Sequence, residues 1–405
     1  MKNIVVIGIG YVGLPLMLAL AKTKCKVFGY DINKDLINDL NKGKCHIKTW
    51  ENRFKKELVS EKNAYFISEL NEIKKIDTAI ICVPTPLNKE GKADHSCVDH
   101  AVKSLSELKN KPSLIILEST VSPGYSRKVA NKYFKENLSS FGGEVHFCFS
   151  PEREDPGNEN FSNVEIPKIL SGLTKNCLLK GFELYMTVFN HVIKASSMEV
   201  AELCKLHENT FRAVNISYVN QMRDYCSNLD INFNEVILLA KSKPFGFMDF
   251  YPGVGVGGHC IPVDPYFLLN GADDLNSEIS IIRLAMKEIE MGPKKTYHWL
   301  VKNNILGKNL LLTGVAYKEG VSDMRSSPAI SLFKLLKHKC NISFWDSEVK
   351  EFHVDGQKYV TLSDTDFKNF RGVVVIINEI GKQFVNKNKI CAEFVLDARY
   401  RTLIK

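Results

Sequence analysis

Two α/β lobes of the doubly wound, Rossmann-like type, joined by a central helical domain with one long helix, are the fold class this sequence predicts. Three observations predict it. Short apolar runs rich in β-branched residues alternate with helical patterns at both ends of the chain, as at Asn3–Ile7 and Asn309–Thr313. Such runs suit strands buried on both faces of a parallel sheet. A glycine triplet, Gly8-x-Gly10-x-x-Gly13, follows the first run and opens a helical stretch. In the middle, about thirty residues without Gly or Pro lead from Ser196-Ser197-Met198-Glu199 to Leu229, long enough for one continuous helix.

In chain order, strand Asn3–Ile7, helix Leu14–Lys24 and strand Lys26–Tyr30 form one βαβ unit that ends in Asp31. Further strands are expected at Thr78–Val83, Leu114–Glu118 and Val145–Phe149. Ser196 and Glu199 read as a capping box that starts the long helix. A second glycine-rich stretch at 251–258 precedes helical sequence to about residue 300. The last hundred residues return to α/β, with strands Asn309–Thr313, Asn341–Trp345, Gly372–Ile377 and Glu393–Leu396. Between the first two lies a helix capped by Ser327 with Pro328 at its first position. The expected domains are 1–195, 196–300 and 301–405.

Composition narrows the function classes. The chain has 405 residues, 44% hydrophobic and 25% charged, which excludes disorder, collagen and coiled coil as its main architecture. Lys and Arg number 54 against 46 Asp and Glu, for a net charge of +8. The lysines are scattered among acids, so a ligand with several phosphates accounts for the excess better than nucleic acid does. Eleven cysteines, an odd number in a long chain, point to a reducing compartment. No apolar run approaches the ~18 residues of a membrane span. The apolar start is broken by three glycines and lacks a cleavage site. A cytoplasmic protein is expected, with no membrane or nucleic-acid partner.

The glycine triplet has the context of a dinucleotide site: a strand before it, a helix after it, and Asp31 at the end of the next strand. Gly8 permits the turn, Gly10 lets a pyrophosphate approach the backbone, and Gly13 allows close helix–strand packing. The helix N-terminus favours phosphate charge. Asp31 would bind ribose hydroxyls and favour NAD, although Lys34 nearby leaves NADP open, and a flavin is the alternative cofactor.

Four glycines at 253, 255, 257 and 258 lead into His259-Cys260, with Asp264 four residues later. A flexible glycine run is a poor place to bury an inert thiol, so Cys260 is read as a nucleophile. The other ten cysteines are read as packing residues. His259 could be mistaken for the base of Cys260 or for a metal ligand, but no second Cys or His stands at zinc spacing, so no metal site is expected. Lys205 and Asn209 sit at i, i+4 on one helix face. They could hold an oxyanion, although spacing alone fits a solvated polar face better. His207 on that helix reads as a surface or packing residue. Ser150-Pro-Glu152-Arg153-Glu154-Asp-Pro-Gly157 and Glu118-Ser-Thr120 each follow a strand, where ligands sit in doubly wound folds. A solvated turn is the alternative for both.

In order, Gly-x-Gly-Tyr-Val-Gly, Glu-Ser-Thr-Val, Ser-Pro-Glu-Arg, Glu-Leu-x-Lys-Leu-x-x-Asn and Gly-Gly-x-Cys-x-x-x-Asp resemble the UDP-glucose/GDP-mannose dehydrogenase family, over essentially the whole chain. The resemblance implies NAD as cofactor and two successive oxidations of a sugar C6 alcohol to a carboxylate. It also implies a central domain that forms a homodimer and a C-terminal domain that holds the UDP-sugar. Carried over, Cys260 would form the thiohemiacetal and thioester, and Lys205 and Asn209 would steady the oxygen charge. Asp264 would assist proton transfer, Glu152 would activate the hydrolytic water, and Thr120 would help place water and nicotinamide. Cofactor contacts would include Gly8, Gly10, Tyr11, Val12, Gly13, Asp31, Val83, Pro84, Thr85, Thr120 and Arg325. Substrate contacts would include Glu152, Arg153, Glu154, Lys205, Asn209, Tyr251, Gly253, Gly257, Lys318 and Arg399.

Two segments, Ser150–Asn158 and Lys243–Pro252, resemble the branch that acts on UDP-N-acetylhexosamines, with UDP-N-acetylglucosamine the expected substrate, for surface polysaccharide or O-antigen synthesis. UDP-N-acetylgalactosamine, UDP-N-acetylmannosamine and UDP-glucose are the alternatives. Val254 stands where that branch commonly has Pro, which predicts a looser loop. Two other functions compete: a two-electron dehydrogenase that stops at the aldehyde, and an NAD-sensing binding protein without catalysis.

Overall fold

The computed structural model describes residues 2–47, 50–51, 54–55, 63–153, 164–317, 322–388 and 392–404. The chain forms two compact units, one of Met1–Glu208 with Tyr266–Ser277 and one of Asn209–Pro265 with Glu278–Lys405.

The first unit opens with β1 (Asn3–Ile7), α1 (Gly13–Ala21), β2 (Lys26–Tyr30), α2 (Lys34–Asn41), β3 (Ala64–Ile67), β4 (Thr78–Ile81), α3 (Ser96–Glu107) and β5 (Leu114–Leu117). It continues through α4 (Tyr125–Phe134), β6 (His146–Phe149), β7 (Lys168–Gly172), α5 (Lys175–Tyr185) and β8 (Val192–Lys194). These strands make one eight-stranded sheet in the order β3-β2-β1-β4-β5-β6-β7-β8. It is parallel from β3 to β6 and reverses direction between β6 and β7. β1, β4, β5 and β6 are apolar almost throughout because both of their faces are covered. α1 is apolar nearly all round and is buried along most of its length.

The long helix α6 (Met198–Ser227) passes from the first unit into the second. Its cap differs from the expected one. The helix begins one residue later, and Ser197 Oγ accepts from Val200 N at 3.2 Å. Glu199 turns instead to Arg127 on α4, at 2.7 Å. Next come α7 (Phe233–Lys241), α8 (Asp264–Asp274) and α9 (Ser280–Lys302).

The second unit then builds β9 (Asn309–Thr313), α10 (Pro328–Leu336), β10 (Asn341–Trp345), the hairpin β11 (Glu351–Val354) and β12 (Gln357–Val360), α11 (Asp364–Asn369), β13 (Val373–Ile376), α12 (Glu379–Asn388), β14 (Phe394–Asp397) and β15 (Thr402–Leu403). Its main sheet runs β10-β9-β13-β14-β15, parallel except for the last strand. Ser327 caps α10 as expected, with Pro328 at its start.

Both sheets use the same turn after their first strand. Gly8 (φ 90°) donates its N–H to Tyr30 O at 2.8 Å. Gly314 (φ 85°) donates to Trp345 O at 2.9 Å. A left-handed backbone of this kind suits glycine. The acid after the second strand closes each turn: Asp31 accepts from Ile9 N at 3.0 Å, and Asp346 from Val315 N at 2.7 Å.

Within the first unit, His95 joins the start of α3 to the loop after β5. Its Nε2 accepts from Ser122 N at 3.2 Å, and its ring stacks on Tyr125 at 3.9 Å. Phe267 of α8 meets the ring edge-on. Burial lowers the imidazole to about 4, against the opposing pull of Asp99 and Asp94.

Two expectations follow. A Cβ at Gly13 would lie 1.9 Å from Gly8 O, so Gly13→Ala should destabilise the chain by about 3 kcal/mol or more in urea denaturation. His95 must be neutral in the fold, whereas in the unfolded chain it takes up a proton near pH 6.5. Its stabilising contribution is therefore complete above about pH 6.5 and is lost as pH falls towards 4, by about 3 kcal/mol. His95→Gln should flatten that part of the stability–pH curve; an unchanged slope would contradict the assignment.

Candidate active site

At the carboxyl ends of β1, β2, β4 and β5 stand all the expected cofactor residues but Arg325, which belongs to the second unit. Tyr11 and Val12 are half-buried in the turn that opens α1, and no side chain caps this helix. Leu14 N donates to Gly10 O at 3.1 Å, Leu16 N donates to Val12 O at 3.3 Å, and Pro15 has no N–H, so what the helix start offers a phosphate is chiefly its dipole. Gly8 and Gly13 are filled by neighbouring backbone, but a Cβ at Gly10 would meet nothing within 4 Å. Packing of the protein itself does not require that glycine, so the cradle fits a pyrophosphate pressed against the backbone. Asp31 holds the turn through Ile9 N and Asn33 N. Lys34 faces Glu69 at 3.3 Å. Val83 and Thr85 are half-buried and Pro84 is exposed at the end of β4. Ser119 Oγ donates to Val83 O at 2.7 Å, which ties that loop to the half-buried Thr120.

After β6, Glu152 lies against a residue that the sequence reading missed. Lys168, on β7, is 3% exposed and donates to Glu152 Oε2 at 2.6 Å and to Glu118 Oε2 at 2.8 Å. Tyr185 of α5 donates to the other oxygen of Glu118. Arg153 is bound by Glu208 of α6, at 2.6 Å, and by Pro167 O. Glu154 and Lys318, both expected substrate contacts, lie outside the described residues. On α6, Lys205 is half-buried one turn before Asn209, so the two share a helix face. His207 is exposed.

In the second unit, Cys260 ends the glycine-rich loop and starts the turn into α8. Its carbonyl accepts from Val263 N at 3.0 Å and Asp264 N at 2.7 Å. Asp264, at the first position of α8, is 4% exposed and accepts from Asn209 Nδ2 at 2.5 Å. Arg212 Nη2 donates to the Asn209 amide oxygen at 2.6 Å. The structure thus joins Asn209 directly to Asp264, a pairing that spacing did not predict. It puts a carboxylate one helical turn from the thiol-bearing residue, with its orientation fixed by an amide.

The loop before Cys260 is gripped at its start. Gly253 N donates to Asn220 Oδ1 at 2.9 Å, and Gly253 O accepts from Arg223 Nη1 at 2.7 Å. Arg223 is 1% exposed, and its other nitrogens bind Asp224. Val254 is buried in the core beneath β9 and α10. A Cβ at Gly292 of α9 would lie 2.6 Å from Val254 O. The loop is therefore packed down at Val254, contrary to the looseness expected there. Further on, a Cβ at Gly257 would lie 2.5 Å from Tyr317 Cβ, and Gly258 N donates to Arg325 O at 2.9 Å.

The remaining expected contacts are held by neighbours. Arg325 pairs with Asp323. Tyr251 is exposed, and its hydroxyl donates to Asp249 at 2.8 Å. Arg399 is buried and chelated by Asp397, at 2.7 and 3.0 Å, with Glu379 on its third nitrogen. Among the described residues no disulfide joins the ten cysteines. No group of three His, Cys, Asp or Glu side chains there could hold a metal, and no helix is long and apolar enough to cross a membrane.

Comparison with known proteins places these features in a family. The NAD binding, central and UDP binding domains of the UDP-glucose/GDP-mannose dehydrogenase family match residues 2–190, 199–289 and 311–402. A UDP-N-acetyl-D-mannosamine dehydrogenase of Pyrococcus horikoshii is 32% identical over 92% of this chain and 91% of its own. A UDP-N-acetyl-D-glucosamine 6-dehydrogenase of Salmonella typhi is 30% identical over 91% and 93%. The solved structure of the UDP-D-ManNAc dehydrogenase from Pyrococcus horikoshii superposes with a TM-score of 0.85 at 28% identity, covering 100% of this chain and 97% of that one. The chain belongs to the UDP-glucose/GDP-mannose dehydrogenase family and is an NAD-dependent nucleotide-sugar dehydrogenase.

Proposed function

We propose that the chain oxidises the C6 alcohol of a UDP-N-acetylhexosamine to the uronic acid in two steps, with UDP-N-acetyl-D-glucosamine as the preferred sugar. The observation that carries this is the Cys260 turn, which runs straight into Asp264 and is fixed there by Asn209. NAD, with its pyrophosphate held at the glycine cradle, would supply hydride acceptance. Cys260 captures the aldehyde as a thiohemiacetal, which keeps a reactive intermediate from escaping, and the later thioester is opened by water. Over the whole reaction an alcohol, two NAD⁺ and one water give a carboxylate, two NADH and three protons. Asp264 and Glu152 carry protons, and Lys205 and Asn209 steady the oxygen that gains charge. Thr120 would help place the water and the nicotinamide. The Pyrococcus relative favours a second reading, UDP-N-acetylmannosamine, which differs only in configuration at C2 of the sugar.

The same reading divides the chain into an NAD domain (1–195), a central domain (196–300) and a UDP-sugar domain (301–405). It also makes the protein a cytoplasmic homodimer. Leu203, Phe211, Tyr218 and Tyr225 of α6 are large, exposed and spaced about two helical turns apart, which suits a second copy of the same helix.

NADH counted against UDP-N-acetylglucosamine consumed should give two per sugar. Cys260→Ser should lower turnover on the order of a thousandfold. If that variant kept one NADH per sugar at near the parental rate, the enzyme would be a two-electron dehydrogenase. A parallel run over the N-acetylgalactosamine, N-acetylmannosamine and glucose forms settles the sugar, and a strong preference for UDP-glucose would sink the hexosamine reading. Gly10→Ala should melt like the parent yet bind NAD about tenfold or more weakly in calorimetry, because its Cβ would meet only the ligand.

A further inference from the structure

We infer that Lys168 is a positioning residue for Glu152: its buried ammonium, shared between Glu152 and Glu118, holds the Glu152 carboxylate ionised and fixed at the carboxyl end of β6. The inference rests on the proposed role of Glu152 in activating water.

The geometry is that of a built site. Lys168 stands at the start of β7, the strand at which the sheet reverses direction. Ser150 Oγ donates to Ile169 O at 2.7 Å, which fixes the segment carrying Glu152 against β7. The side chain of Glu118 is fully buried, Lys168 is nearly so, and Glu152 keeps 21% of its surface. Glu152 is therefore the one of the two carboxylates that a ligand can reach. An unpaired ammonium at this depth would lose its proton. Lys168 instead keeps its charge because two carboxylates face it.

The other groups around the cluster leave that charge directed at Glu152. Tyr185, from α5, and Cys82, from the end of β4, are both pushed well above their usual values, chiefly by burial, and stay neutral. Arg153 is turned to Glu208. Two carboxylates around one cation would leave a net buried negative charge. Burial lifts Glu118 to about 7, with Lys168 opposing and Glu152 adding to the rise. As pH falls through about 7 the deep carboxyl takes up the spare proton, and the ammonium then serves the accessible one. The Lys168 ammonium also lies 5.3 Å from the centroid of the Phe189 ring, a further contact that draws on its charge.

The test compares Glu118→Gln with the double variant Glu118→Gln/Lys168→Met. With Glu118 neutral in both, the two differ only in the ammonium, and the one carboxylate left in the double variant, Glu152, keeps 21% of its surface in solvent. The expected result is an acid limb of the kcat–pH profile about one unit higher in the double variant. Below that limb its kcat should fall about tenfold against Glu118→Gln. Coincident limbs would overturn the inference, since a packing role does not move a titration. A double variant that fails to fold where Glu118→Gln folds would also overturn it, because Lys168 would then be holding the domain together. If the wild-type chain forms no NADH from any UDP-sugar, the functional reading fails by itself. The same upward shift is then sought in the Glu152 carboxyl carbon by NMR titration of the two variants, and its absence would overturn the inference.

Discussion

A buried polar side chain must find a partner, and α6 is where this protein meets that constraint most often. The helix buries Glu202, Asn209, Thr210, Ser217, Asn220 and Arg223 along its length. The Thr210 hydroxyl finds no partner among the described residues; each of the others is satisfied by a segment that the chemistry uses or by the element that supports one. Glu202 accepts from Gly124 N and Ser126 N at the start of α4. Asn209 fixes Asp264, Ser217 donates to Ala285 O of α9, and Asn220 and Arg223 hold Gly253 from both sides. The helix is therefore a rack of side-chain donors and acceptors, spaced by the helical repeat, on which irregular backbone is hung. A loop with glycines at 253, 255, 257 and 258 has little side-chain surface of its own to bury. Its order comes from these hydrogen bonds and from the close packing that the glycines permit against Tyr317 and Pro328.

The two sheets show one solution used twice. In each, a left-handed glycine after the first strand and an acid after the second lock the turn where a nucleotide is expected. Asp31 and Asp346 also accept with their second oxygen from the backbone just downstream, at Asn33 N and Glu348 N. Their carboxylates are thus architectural before any ligand arrives. A mild positive excess spread over such a frame suits phosphate-rich ligands.

Much of this was legible in the sequence because it is local. The strand–glycine–helix–strand–acid order at residues 3–31 depends on neighbours within one βαβ unit, and it formed as read. The long helix was legible from the absence of breakers, although its capping hydroxyl is Ser197's and not Ser196's. What stayed hidden is non-local. β7 begins with a lysine, so it does not read as a buried strand, and the partners that explain Lys168 are 50 and 16 residues away. Arg223 looks like one more cation in a polar helix, yet its guanidinium binds carbonyls at Gly253 and Arg399. Asn209 was legible as a site residue only by resemblance. Its contact with Asp264 spans 55 residues, and no spacing rule reaches that far.

Every step assigned to the second unit converges on one thiol among eleven cysteines. The most direct measurement is therefore to quench the enzyme in acid during turnover with UDP-N-acetylglucosamine and NAD, digest it, and map the added mass by peptide mass spectrometry. The expected result is a sugar-nucleotide adduct on the peptide that contains Cys260 and on no other cysteine peptide. Steady turnover to the uronic acid with no adduct at Cys260, or with the adduct on a different residue, would contradict the covalent route.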